Sequence, residues 1–129
     1  MKCLSDNERI YAIVCEENEK IPDTLVEALF EIRVYELLDQ CGIPNYYVGY
    51  KYLKDAIISV LDKSEHKWMT KTIYPQIANK YGTSSSCVDS NMRHAIATAW
   101  NSGKLNEYFT SSYKPTNSQF IFLISNILK

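Results

Sequence analysis

The side chains of thiol catalysis both occur in "SSSCVDSNMRHAIATAW", residues 84–100, as Cys87 and His94. A cysteine nucleophile needs its base within hydrogen-bond reach. Seven positions along one helix place the two roughly 10 Å apart, which excludes that bond. His66 is the only other histidine. Cys3, Cys15, Cys41 and Cys87 show no CxxC spacing, and no histidine is spaced to complete a zinc site. Asp89 and Arg93, four positions apart, form a helix-surface ion pair sooner than an acid–base couple. There is no glycine-rich phosphate loop. The sequence predicts no catalytic site, no metal and no cofactor, so an enzyme is not expected.

The same stretch offers hydrogen-bonding chemistry instead. On a helix, Val88, Met92, Ala95, Ile96, Ala99 and Trp100 share an inward face. Ser86, Asp89, Ser90, Arg93 and Ala97 lie opposite, flanked by Cys87, Asn91 and His94. A helix with short polar groups and one arginine on its outer N-terminal half fits the major groove, about 12 Å wide. Thr83, Ser84 and Ser85 at its start can donate N–H and O–H groups to a phosphate. Lys67, Lys71 and Lys80 supply nearby positive charge. An ordinary capped helix with a solvated outer face has the same pattern, so pattern alone leaves both readings open.

The elements that must position these groups follow from periodicity and punctuation. A helix is predicted over about 23–40, through Leu25, Ala28, Leu29, Ile32, Tyr35 or Glu36, and Leu37–Leu38, closed by Gly42 as a left-handed cap. A second, at about 49–62, carries the stripe Tyr52, Leu53, Ala56, Ile57, Val60 and Leu61. The third spans 70–81, with Thr70 as N-cap, Pro75 in its early turns and Ile73, Ile77, Ala78 and Tyr81 on one face. Gly82 ends it, and the next helix starts within Thr83–Ser86 and runs to about Asn101. A helix, a turn of three or four residues with glycine, and a second helix at a steep angle make a helix-turn-helix. A short helix at about 104–110 follows. Then comes a C-terminal helix, capped by Thr116 or Asn117, with Phe120, Leu123, Ile124, Ile127 and Leu128 inward. Residues 1–21 are less readable: "RIYAIVCEE" fits a strand or a helical turn equally.

The chain has 129 residues, enough for one domain that folds without disulfides or metal. With Gly and Pro at four each, the pattern predicts an all-α fold. No leader-like apolar run follows Met1, and no run approaches the roughly 20 residues that span a membrane. A cytoplasmic protein with reduced thiols is expected. Net charge is −1, yet the charge is segregated. Residues 1–39 carry four basic and ten acidic groups, net −6; residues 63–104 carry six basic and two acidic, net +4. Local field decides whether a polyanion is attracted, and the basic part surrounds the turn.

Four strings, "GYKYLKDAI" (49–57), "TKTIYPQIANKYGTSSS" (70–86), "MRHAIATAWNSG" (92–103) and "KPTNSQFI" (114–121), occur in order. Together they resemble the C-terminal effector domain of the stage zero sporulation protein A family, over about residues 33–129. The resemblance implies a six-helix all-α domain with a central helix-turn-helix, and residues 1–32 as an acidic extension. It implies a transcriptional regulator that reads double-stranded promoter boxes with residues 84–101. It further implies tandem dimers, formed partly through the last helix, and RNA polymerase or a related regulator as a further partner; no membrane partner is expected.

Carried over residue by residue, Ser86, Arg93 and His94 stand where the family contacts DNA. To these we add Ser90 and Asn91 at base edges, and Ser84, Ser85, Lys71, Lys80 and Lys67 at phosphates. The chain departs from the family where Cys87 and Ser90 replace arginines and Asp89 replaces glutamate. Arginine is the usual bidentate reader of guanine, so these departures bear on the box that is read. The residues before the match are too few for the family's phosphorylatable receiver, so no phosphoacceptor in cis is expected. A second reading follows from the missing arginines: an interaction module that no longer reads DNA and pairs with a full-length regulator.

Overall fold

Glycine decides where the helices stop. Gly42 adopts φ +88°, its N–H donates to Asp39 O at 3.1 Å, and Ile43 N–H donates to Leu38 O at 3.0 Å. This is the paired termination that only a left-handed residue allows, and it closes α1 (Asp23–Gln40). The computed structural model describes residues 23–61, 69–109 and 112–128. Cys3, Cys15, His66, Lys67 and the whole segment 1–21 lie outside the described residues.

After α1 come α2 (Val48–Leu61), α3 (Tyr74–Tyr81), α4 (Ser85–Asn101) and α5 (Asn117–Leu128). The described residues hold no strand, and the fold is all-α. Helix α2 is central and touches all four others. Its Tyr52, Leu53, Ala56 and Ile57 are buried as their spacing predicts, against Val88, Met92, Ala95 and Ile96 of α4 and Phe120, Ile121 and Ile124 of α5 in one core.

Four details differ from the sequence expectation. Residues 70–73 do not start an α-helix behind a Thr70 cap: Met69–Ile73 form a π-helical turn, and α3 begins at Tyr74 with no side-chain cap. Pro75 explains this, because it lacks the N–H for an i−4 bond and its ring crowds the carbonyl of Lys71, so the turn before it widens. The expected helix near 104–110 is a single 3₁₀ turn, Leu105–Glu107, with Leu105 as its one buried side chain. Helix α1 buries Val34, Leu37 and Leu38, with Cys41 just beyond its end, while Ala28 and Ile32 are exposed, because only its C-terminal half reaches the core. Helix α5 faces inward along Phe120, Ile121, Ile124 and Ser125, and Ile127 is exposed. Ser125 is tolerated there because its hydroxyl donates to Ile121 O at 2.7 Å.

The cap of α5 is Thr116. Its Oγ1 accepts from Gln119 N–H at 3.1 Å, and Gln119 Oε1 accepts from Thr116 N–H at 2.9 Å. Each end satisfies the other, as in a capping box. Cys41 is buried in the core, which pushes its thiol up to about 12 and leaves it unreactive.

Tyrosines tie the helices together through their hydroxyls. Tyr50 donates to Asp39 at 3.0 Å and Tyr81 to Asp55 at 2.6 Å. Burial first, then the adjacent carboxylate, pushes both phenols well above their usual value. Burial, with Asp89 adding to it, also raises Tyr74. Raised native values mean that this stability is present below pH about 10 and lost as pH rises above it. Urea midpoints are therefore expected to fall steeply between pH 9.5 and 11, and less steeply in Tyr50→Phe.

Candidate nucleic-acid interface

Residues 82–84 alone separate α3 from α4. Gly82 takes φ 65°, and its N–H and that of Thr83 both point at Ala78 O, ending α3. Ser84 is extended at φ −107°, ψ 158°, and its Oγ accepts from Cys87 N–H at 3.2 Å. One left-handed residue and one side-chain cap thus make the whole corner. Gly103, at φ 84°, follows the far end of α4.

Helix α4 buries Val88, Met92, Ala95, Ile96 and Ala99, and Trp100 is half-buried. Ser86, Ser90 and Arg93 are exposed along one stripe, with Cys87 and His94 exposed beside it and Asn91 half-buried. So Ser86, Ser90, Arg93 and His94 are brought to one accessible side of one helix. Asn91 is partly spent: its amide donates to Cys87 O at 2.8 Å. Ser84 gives its oxygen to the cap but keeps a hydroxyl proton to donate. Ser85 is half-buried in the first turn, and Lys71 is exposed in the π-helical turn. Lys80 is held by Asp55, 3.2 Å away on α2. Cys87 is exposed, and hydrogen bonds from Ser84 and Thr83 lower its thiol below the usual value.

Asp89 pairs with Arg93 one turn on, as their spacing predicts. Two further partners of this face escaped sequence reading. Asn117, buried at the start of α5, donates to Asp89 O at 3.1 Å, to Asp89 Oδ1 at 3.0 Å and to Tyr74 Oη at 3.1 Å. It links α5 and α3 to the residue that holds Arg93. Tyr47 stacks on His94 with ring centroids 5.0 Å apart and planes 7° apart. No spacing signal exposes these contacts, because each joins segments far apart in the chain.

A short scaffold helix, a three-residue corner and a capped second helix with a small polar face define a helix-turn-helix domain. Residues 34–128 match the family model described as "Sporulation initiation factor Spo0A C terminal". That is well over half of the 129 residues, and the chain belongs to this family. The family is a DNA-binding transcription-factor domain of sporulation control. Among the described residues no acidic, cysteine or histidine cluster could hold a metal ion, and no helix is long and apolar enough to cross a membrane.

Proposed function

We propose that this protein is a sequence-specific regulator of transcription that lays α4 in the major groove of promoter DNA. Residues 33–129 are the DNA-binding unit, and α1 runs through its boundary with the acidic extension. One observation carries the reading: Ser86, Ser90 and Arg93 form an exposed stripe on the second helix of the corner, in a chain of this family. Ser86, Ser90, Asn91, Arg93 and His94 face base edges; Ser84, Ser85, Lys71, Lys80 and Lys67 face phosphates. A second copy docks through α5, whose Phe122 and Ile127 are 49% and 42% exposed.

Selection of the protein on randomised duplexes, then anisotropy across a salt series, tests this. An enriched motif is expected. Arg93→Ala should cost about 1–3 kcal/mol and relax one position of it. Lys71→Ala should weaken all sequences alike and reduce the salt slope by about 1. Equal, weak binding to every sequence would refute the proposal.

Cys87 gives an independent probe of orientation. In a chain with Cys3 and Cys15 replaced by serine, Cys87 should alkylate fast and buried Cys41 only after unfolding. The selected duplex is expected to protect Cys87. Alkylation at an unchanged rate in the complex would place this helix face away from DNA.

A further inference from the structure

We propose that Tyr47 is a positioning residue for DNA recognition, fixing the plane in which His94 meets its base. This rests on the reading of α4 given above. Tyr47 lies in the turn before α2, outside the helix-turn-helix. Its ring is half-buried and stacked face to face on His94, 5.0 Å between centroids and 7° from parallel.

Two further contacts hold the tyrosine itself. Tyr46 packs edge-on against it, at 5.1 Å and 81°. Thr98 Oγ1 lies 3.4 Å from Tyr47 Oη and 3.1 Å from His94 O. A threonine hydroxyl has one proton. With that proton given to the His94 carbonyl, the Tyr47 hydroxyl donates to Thr98. Tyr47 is thus pinned to the turn of α4 that carries His94.

An exposed imidazole on a helix otherwise turns freely about χ2. Base-edge hydrogen bonds lie in the base plane, so a ring free to rotate loses discrimination when it is ordered on binding. Stacking on Tyr47 removes that rotation before DNA arrives. A stack of this kind corresponds to roughly a two- to tenfold change in affinity.

The test uses the full chain on its selected duplex, with Tyr47→Leu, Tyr47→Phe, His94→Ala and the Tyr47→Leu/His94→Ala pair. Unfolding midpoints confirm that each variant is folded at the assay temperature. Tyr47→Leu is expected to weaken the preferred site roughly two- to tenfold and to relax the same base pair that His94→Ala relaxes. The double variant should bind like His94→Ala alone, and Tyr47→Phe, which keeps the stacked ring, like the parent chain. Proton NMR should show the His94 ring signals losing their upfield ring-current shift in Tyr47→Leu but not in Tyr47→Phe. Additive losses, or Tyr47→Leu binding as the parent does, would overturn the proposal. If His94→Ala is silent while Arg93→Ala abolishes recognition, α4 still reads DNA and only the role of Tyr47 falls. If Arg93→Ala is silent as well, the reading of α4 falls and this one with it.

Discussion

Asp55→Ala is expected to destabilise the fold by about 3–5 kcal/mol, the effect of stranding a buried charge. Asp55 and Lys54 sit on α2 with side chains 12% and 8% exposed, and their charged atoms are 2.6 Å apart. Lys54 also reaches Glu31 of α1 at 3.0 Å, and its ammonium lies 5.7 Å from the centre of the Tyr35 ring. Asp55 accepts from Tyr81 of α3 at 2.6 Å. One carboxylate therefore ties α2 to α3 and neutralises the lysine that ties α2 to α1. The Lys80 contact adds little, because that side chain is 57% exposed and water screens it. Without Asp55, Lys54 retains, among the described residues, the half-exposed Glu31 and the face of Tyr35, while Tyr81 loses its acceptor.

The same cluster gives the pH dependence. Burial alone would raise the Asp55 carboxyl, but hydrogen bonds from Lys54 and Tyr81, the Lys54 charge, and then Lys80 outweigh it and hold the value below normal. A depressed native value means that this stability is present above the ordinary carboxyl range and lost as pH falls through the native value. Urea unfolding of the parent chain and of Asp55→Asn should differ most near pH 6 and converge below pH about 4. A constant gap across that range would show that the carboxylate charge contributes nothing.

Sequence made the corner legible because its signals are local. Gly82 has no Cβ to strain at φ 65°, Ser84 has the oxygen to cap, and the apolar residues of 88–99 repeat at helical spacing. The face of α4 followed from the same period. What sequence hid was set by tertiary contact. Lys54 and Asp55 are adjacent charges on a helix, with no periodic signal to mark them as buried, yet both are enclosed once α1 and α3 close over α2. Ile127 fits a helical stripe, but the stripe that packs is centred on Phe120, Ile121 and Ile124, leaving Ile127 outside. Asn117 was one of two candidate caps; the capping is done by Thr116, which leaves the Asn117 amide to hold Asp89. At Met69–Ile73 a local rule failed for a local reason, since the proline that suits an early turn also widens the turn before it.

Gly49→Ala separates two effects by sign. In an exposed helix interior, replacing glycine with alanine stabilises by about 1 kcal/mol. Gly49 lies in the first turn of α2 but is buried against α4. A Cβ there would stand 2.3 Å from Asn91 O and 2.8 Å from Asn91 C, with Ala95 Cβ at 3.0 Å. Two of these obstacles are helix backbone, so no rotamer change relieves them; α2 and α4 must move apart. Overpacking of this kind costs about 1–3 kcal/mol and reverses the propensity gain. The displacement also falls where recognition is built. Asn91 precedes Arg93 and His94 by two and three residues, and Tyr47 precedes Gly49 by two. Gly49→Ala is thus expected to lower the urea midpoint and, at temperatures where it remains folded, to weaken the selected duplex more than random DNA. A stabilised variant would mean that α2 and α4 cross with room to spare, and that the glycine is not what lets them approach.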